Sequence, residues 1–480
     1  MLAKPKSASV VPAKPSNLPL PLPGGDLELA VQRLGRRIFR LAAKGQSPLA
    51  SLRERAEKLV LAAMMHDAEL RYRLLRFVDV YPALRTGSDI AARLEEYLST
   101  PHLAIGGAGR LSALARALGR HRRWTRPAIA AASRLAIAAT GRQFIAGRNP
   151  REVAPRIRSI EAQGHRFSLD LLGEFVASEA QADEYQRRYL EMIEGLGALL
   201  GPGTPDPDPV TGPRVNISIK LSSLTSKFDP MDAGGTAASV LSRLRPMFRA
   251  AQRHGVFLNV DMEKFEYRDA TIDIVQQLLS EDEFRGFPHI GMVMQAYLVD
   301  AEETQDRLLA WLVANNQPMT IRLVKGAYWD SEQIWAQQKG WPVPVLTDKR
   351  AVDAQYERMA TTLLRHHALA RTAIASHNVR SLAHALAAAK ALRVPRERLE
   401  VQMLYGMAGP ILRAFPALNV PVRVYTPCGE LIPGMAYLVR RILENTANES
   451  FLRQRFTDGV PEEVLLRDPA APLSPRGTRP

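Results

Sequence analysis

The chain has 480 residues, 46% hydrophobic and 24% charged, as expected of a folded globular protein with two or three domains or one large domain and an extension. A single cysteine, Cys428, excludes an intramolecular disulfide and suits a reducing cytoplasm. No apolar run approaches the roughly 18 residues of a membrane span, and the Pro-rich start has no signal-peptide core, so neither is expected. The net charge of +15 leaves nucleic acid, anionic lipid and acidic ligands open as partners, against the plainer reading of arginines spread over solvated helix faces.

Residues 1–25 carry Pro and Lys with little to bury and read as a disordered arm. Residues 26–165 read as an all-helical domain. In DLELAVQRLGRRIFRLAAK (26–44), Leu29, Val31, Leu34, Ile38 and Leu41 recur at helical spacing. A second helix starts in SPLASLRERAEKLVLAAMMHD (47–67) with Ser47 as N-cap and Pro48 at the first position. DIAARLEEYLST (89–100) is another amphipathic helix. No strand precedes the glycine-rich IGGAGRL (105–111), so it reads as a helix–helix connection and not a phosphate loop. The densest basic patch, GRHRRWTRPAI (119–129), has no nucleic-acid-binding signature beside it, and a peripheral membrane contact explains it as well as DNA does.

From residue 166 the texture changes. Eight short apolar runs, near 167–174, 215–221, 256–263, 289–298, 319–328, 371–378, 399–406 and 420–429, alternate with helical patterns. Apolar strands of this kind belong to parallel sheets covered on both faces. Eight such units predict a (β/α)8 TIM-like barrel over 166–455, with 456–480 as a C-terminal tail. An open doubly wound sheet is the alternative, but no G-x-G-x-x-G follows the first strand. The segment GPGTPDPDPVTGP (201–213) is too rich in Pro and Gly for regular structure, and 468–480 reads as disordered.

Function in such a barrel gathers at the C-terminal strand ends. Those ends carry Glu174, Lys220, Asp261 with Glu263, Gln295, Arg322 with Lys325, Ser376 with His377 and Asn378, and Tyr425 with Thr426. One polar end only shows that a strand meets solvent; polar ends on nearly every strand point to a site. The fifth run, IRLVKGAYWD (321–330), raises the sharpest question, because a buried strand with two cations needs an anion or electron-rich group beside it. In the last helix, Tyr437, Arg440, Arg441 and Glu444 share one face. That face is either solvated, with an Arg440–Glu444 surface pair, or turned inward, where paired guanidiniums clamp a carboxylate. No metal-ligand pattern occurs, and Cys428 takes no role.

Several motifs then converge. RLVKGAYWDSE, SIKLSSL, QAYL, SHN, QMLYGM and YLVRRILENTANESF, in that combination, resemble the proline dehydrogenase family. They are most similar to the proline dehydrogenase domain of the bifunctional bacterial PutA-type enzymes, and RFVDVYPAL (76–84) resembles those enzymes' N-terminal α-domain. The resemblance implies a barrel that binds FAD noncovalently and oxidises L-proline to Δ1-pyrroline-5-carboxylate by hydride transfer from C5 to flavin N5. Electrons then pass to a membrane quinone, the first step from proline to glutamate. It implies that Arg322 lies near the flavin N5 edge, where with Lys220 and Asp261 it is a catalytic residue. Arg440 and Arg441, with Lys220, would pair with the proline carboxylate, Asp261 would orient that cationic cluster, and Glu174 would gate the site through Arg440. Leu404, Tyr425 and Tyr437 would pack against the substrate ring. Gln295, the segment Val324, Lys325, Gly326, Ala327, Tyr328 and Trp329, and Ser376, His377, Thr426 and Glu444 would hold FAD. Lys220 is a candidate base for the proline amine on condition that neighbouring arginines depress its pKa.

The chain stops where the bifunctional enzymes continue into an aldehyde dehydrogenase domain, so glutamate-semialdehyde oxidation is expected to fall to a separate pyrroline-5-carboxylate/glutamate-semialdehyde dehydrogenase. A one-function protein and a fragment both stay open, as does a homo-oligomer. The ribbon-helix-helix module of some relatives has no counterpart in 1–25, so DNA is not expected as a partner. The implied location is cytoplasmic, with the inner membrane as a peripheral surface. Hydroxyproline oxidation is the near alternative, disfavoured by Tyr425 crowding a hydroxyl. A folate-reducing flavin barrel is disfavoured by the Arg440–Arg441 pair. An inactive or DNA-binding scaffold is disfavoured by the filled catalytic positions.

Overall fold

The computed structural model describes residues 24–44, 145–172, 176–201, 212–407, 409–430 and 459–472, with isolated positions between 76 and 96. The expected helix at 47–67, most of that at 89–100 (Asp89, Ala92, Arg93 and Glu96 are described, as helix), the glycine-rich 105–111, the basic patch at 119–129, most of RFVDVYPAL, and Glu174, Tyr437, Arg440, Arg441 and Glu444 lie outside the described residues.

Eight parallel strands close into a barrel in sequence order. They are β1 (Arg166–Leu171), β2 (Asn216–Ile219), β3 (Phe257–Val260), β4 (Ile290–Gln295), β5 (Met319–Val324), β6 (Ala370–Ala375), β7 (Leu399–Leu404) and β8 (Val422–Cys428). β8 returns to β1, pairing Phe167 with Val424 and Leu169 with Thr426. The expected fold is the observed one, an eight-stranded barrel behind N-terminal helical segments.

Each crossover contributes helix. α1 (Gly24–Lys44) and α2 (Pro150–Glu161) precede the barrel. Between strands run α3 (Glu179–Leu200), α4 (Ala233–His254), α5 (Arg268–Ser280), α6 (Ala301–Ala314), α7 (Trp329–Lys339), α8 (Lys349–Arg365), α9 (Val379–Ala391) and α10 (Gly409–Leu412). Local chemistry sets the ends. Asp232 caps α4 by accepting from the amide of Gly235, and Gly255, at φ 60, stops that helix in the left-handed region where glycine costs least. Asn378 caps α9 through the amides of Arg380 and Ser381.

Alternation along each strand puts Phe167, Leu169 and Leu171 against the helix layer and Ser168 and Asp170 inside the barrel. The interior is therefore unusually polar. At the N-terminal end, Arg423 donates to Glu400 from Nε at 2.8 Å and to the Phe167 carbonyl from Nη1 at 2.8 Å, while Arg371 donates to the other Glu400 oxygen at 2.7 Å. Burial alone would push the Glu400 carboxyl up, but the two guanidiniums hold it well below the usual carboxylate range.

Two distant segments meet on the outside of the barrel. α1 packs against α9, and a short turn of helix, α11 (Glu462–Leu465), lies near it. Gln32 donates to the Leu466 carbonyl at 2.6 Å, and Gly35 faces Leu466 so closely that a Cβ would lie 2.4 Å from its side chain. Buried Arg380 ties these parts together through Glu357 (2.8 and 2.9 Å), Glu28 (2.7 Å) and the Leu466 carbonyl (3.0 Å). Residues 468–472, expected to be without order, instead accept from Arg350 through the carbonyls of Pro469 and Ala471.

Candidate active site

The C-terminal rim gathers charge that the interior would not tolerate unpaired. Arg322 on β5 is buried and points across the barrel: Nη1 donates to Asp261 Oδ1 at 2.6 Å, and Nη2 lies 3.2 Å from Ser218 Oγ and 3.3 Å from Ser168 Oγ. Strands β1 and β5 are opposite one another in the barrel, so this bond to Ser168 places the guanidinium at its centre. Asp261 is further held by the Asn259 amide at 3.0 Å and the Tyr425 hydroxyl at 2.7 Å. The Arg322 guanidinium also lies 5.1 Å from the centre of the Tyr425 ring, within cation–π range. Burial, with the Asp170 and Asp261 carboxylates nearby, pushes the Tyr425 phenol well above its ordinary pKa. It therefore stays protonated and serves as a donor.

Lys220, just past β2, pairs with buried Asp170 on β1. The structure adds contacts to two of the expected residues. Lys220 has a carboxylate, Asp170, as a partner. Among the described residues, Asp261 pairs with Arg322 and Tyr425, and it is Asp170 that holds Lys220. Asp170, Ser168 and Ser218 were all missed in the sequence. A lone acidic or hydroxyl residue within an apolar run has no distinctive local spacing; only inward parity with Lys220 and Arg322 marks them.

The remaining rim residues lie on adjoining loops. Glu263 accepts from the Ser222 hydroxyl at 2.6 Å, and its carbonyl accepts from Gln295 Nε2 at 2.9 Å, joining the ends of β2, β3 and β4. Lys325 pairs with Asp353 on α8. Gly326 sits at φ 140 with its α-carbon against the Tyr297 ring, where a Cβ would fall 2.5 Å from ring atoms, so only glycine fits. Trp329 Nε1 donates to the Leu346 carbonyl at 2.8 Å, leaving Val324, Ala327 and Tyr328 part-buried or exposed around it. His377 Nε2 accepts from the Leu404 amide at 3.0 Å, which puts the ring proton on Nδ1 and joins β6 to β7. Ser376 Oγ accepts from the Asn378 amide at 3.0 Å. Thr426 is fully buried and donates to the Val424 carbonyl at 2.9 Å. Several buried polar atoms, Arg322 Nε and Gln295 Oε1 among them, have no hydrogen-bond partner among the described residues.

Set against known proteins, residues 153–454 match the family model described as Proline dehydrogenase, and residues 28–144 match the Proline utilization A N-terminal domain. The Bifunctional protein PutA of Klebsiella aerogenes is 33% identical over 345 residues, covering 70% of this chain and 26% of that protein. A Proline dehydrogenase of Deinococcus radiodurans is 29% identical over 319 residues, 66% of this chain and 90% of the relative. Among solved structures, proline utilization A from Bdellovibrio bacteriovorus, inactivated by N-propargylglycine, superposes with a TM-score of 0.80 at 35% identity, covering 94% of this chain and 44% of that one. The chain thus spans about a quarter of the bifunctional relatives it matches in sequence and under half of this structural neighbour.

Proposed function

The chain belongs to the proline dehydrogenase family, and from that premise we propose that it oxidises L-proline to Δ1-pyrroline-5-carboxylate with bound FAD. The observation that carries this reading is the rim cluster itself: Arg322, Asp261 and Tyr425 joined inside the barrel, with the Lys220–Asp170 pair beside them.

The residues present fit the cofactor. Arg322 Nε is a buried donor and Gln295 Oε1 a buried acceptor, each without a partner among the described residues, and a ring edge bearing both kinds of polar atom would satisfy them. Gly326 lets the chain pass close to Tyr297 where a side chain would block it. Gln295, Arg322, Lys325 with its neighbours Val324 to Trp329, and Ser376, His377, Thr426 and Glu444 are the residues we assign to hold it. When bound, FAD supplies the acceptor for the hydride that leaves proline C5 and passes the electrons on to a quinone.

The chain's own residues do the rest. Asp261 fixes the Arg322 guanidinium, so positive charge stands ready where negative charge accumulates. Lys220, with Arg440 and Arg441, binds the substrate carboxylate, and Glu174 closes over it. Tyr425, Leu404 and Tyr437 form walls that restrict the ring to one orientation. Asp170 keeps Lys220 at the rim. We place the protein in the cytoplasm, meeting the membrane only peripherally; among the described residues no helix is long and apolar enough to cross one. A separate dehydrogenase would take the product on toward glutamate.

The test is a visible spectrum of the purified protein before and after anaerobic L-proline. Flavin bands bleached by proline are expected. Bands that only hydroxyproline bleaches would move the substrate, and a protein that takes up no FAD would end the reading.

A further inference from the structure

We propose that Asp353 on α8 is a positioning residue that holds Lys325 and the Ser376–Asn378 turn in one arrangement, and thereby sets how tightly the flavin is held and how easily it is reduced. The inference rests on the cofactor reading above and assigns a role to a residue remote in sequence from both segments.

The β5–β6 ladder runs from Met319 with Ala370 to Leu323 with Ile374, and Lys325 and Ser376 lie just beyond its end. Past that point, backbone pairing between these two strands no longer fixes the rim. Asp353 stands over the gap. One oxygen takes the Lys325 ammonium, and the other accepts from Asn378 Nδ2 at 3.3 Å. One turn on, Tyr356 supports the same geometry: its ring centre lies 5.8 Å from the ammonium and its hydroxyl donates to the Leu323 carbonyl at 3.1 Å. Asn378 transmits the constraint. Its Oδ1 caps α9 through the Arg380 amide at 2.9 Å, and its own amide donates to Ser376 Oγ at 3.0 Å. A single carboxylate therefore spans the ends of two strands that both carry assigned cofactor residues.

The pair is only partly buried, with side-chain exposures of 29% for Lys325 and 27% for Asp353. Solvent screens an ion pair of that kind, so its share of global stability is small. Its effect should be felt at the site. Charge and geometry can be partly separated there. Asp353→Asn keeps one accepting oxygen, enough for one of the two arms, and removes the negative charge, leaving a more positive rim that favours the reduced cofactor. Asp353→Ala removes both.

The experiment uses the full chain, stripped of flavin and titrated with FAD by fluorescence, then reloaded for a spectroelectrochemical midpoint potential, with thermal melting alongside. Asp353→Asn, which keeps one of the two arms, is expected to bind FAD more tightly than Asp353→Ala while its potential moves to a more positive value than the parent's. Asp353→Ala is expected to weaken FAD binding about tenfold, equivalent to ~1.4 kcal/mol, with little change in melting of the flavin-free protein. Glu303→Gln, which removes an exposed surface charge on α6, should alter neither. Unchanged affinity in Asp353→Ala, or an unchanged potential in Asp353→Asn, overturns the inference while leaving the cofactor reading intact. If Asp353→Ala fails to fold, the potential of Asp353→Asn decides. A parent protein that takes up no FAD defeats both the cofactor reading and this inference.

Discussion

Arg322 and Asp261 are each tolerable in the barrel only because of the other. Removing one partner strands a buried charge, and the loss is expected to be about 3–5 kcal/mol, whereas replacing both with apolar side chains costs far less. Asp261→Leu and Arg322→Met should therefore each lower the urea midpoint strongly, and combining the two should recover much of it. Strictly additive losses in the double-mutant cycle would show that the two do not act as a pair. A second residue-scale prediction tests the carboxylate clamp proposed above. On that reading Arg440→Met should raise the KM for proline by about tenfold or more while flavin content stays unchanged. Steady-state kinetics on flavin-replete protein reads this directly, and an unaltered KM would remove Arg440 from the clamp.

At the scale of elements, the strand–helix alternation was legible because parallel strands buried on both faces announce themselves as apolar runs. The run at 399–406 became β7, and that at 319–328 became β5 with its polar extension. What remained hidden depends on register. Asp170 meets Lys220 across 50 residues and Asp353 meets Lys325 across 28, and neither separation is a motif. Arg322, by contrast, was visible as a charge inside an apolar run, although its partner's identity was not. The turn after β6 offers an element-scale test. Asn378 caps α9, and Asn378→Ala should cost about 1 kcal/mol of stability, measured by thermal or urea unfolding. It should also loosen FAD, because the bridge to Asp353 goes with it; loss of stability with unaltered flavin affinity would confine Asn378 to capping.

For the whole molecule, Arg380 joins parts that sequence holds furthest apart: α1, α8, α9 and the segment around Leu466. Arg380→Met would leave Glu357 buried without its guanidinium and should cost about 3–5 kcal/mol, while Glu28→Gln, at the edge of the same cluster, should cost about 1 kcal/mol. Comparable losses from the two variants in urea unfolding would argue against Arg380 as the hub. Acid stability follows from the same chemistry. Burial pushes the Glu357 carboxyl up, but hydrogen bonds from Arg380 and His384 outweigh it and hold the group below its ordinary value of 4.5. Glu179 is held down to about 2, chiefly by the Ser226 hydroxyl and amide. In both cases the unfolded chain binds the proton more readily, so the stabilisation is complete above the ordinary carboxylate range and disappears as pH falls through the folded values. Burial also holds His165 and His289 below their ordinary 6.5, so protonating them favours unfolding in the same direction. Unfolding free energy should therefore decline gently below about pH 6.5 and steeply below about pH 4.5. Urea titrations across that span would contradict this account if stability rose toward acid.

The Arg423–Glu400–Arg371 cluster at the opposite end of the barrel bears on traffic. Its side chains are almost wholly shielded from solvent and bonded to one another and to the β1 backbone, so the lower mouth is sealed by interlocked charge. Whatever sits at the upper rim then rests on a closed floor, not over a channel running through the barrel.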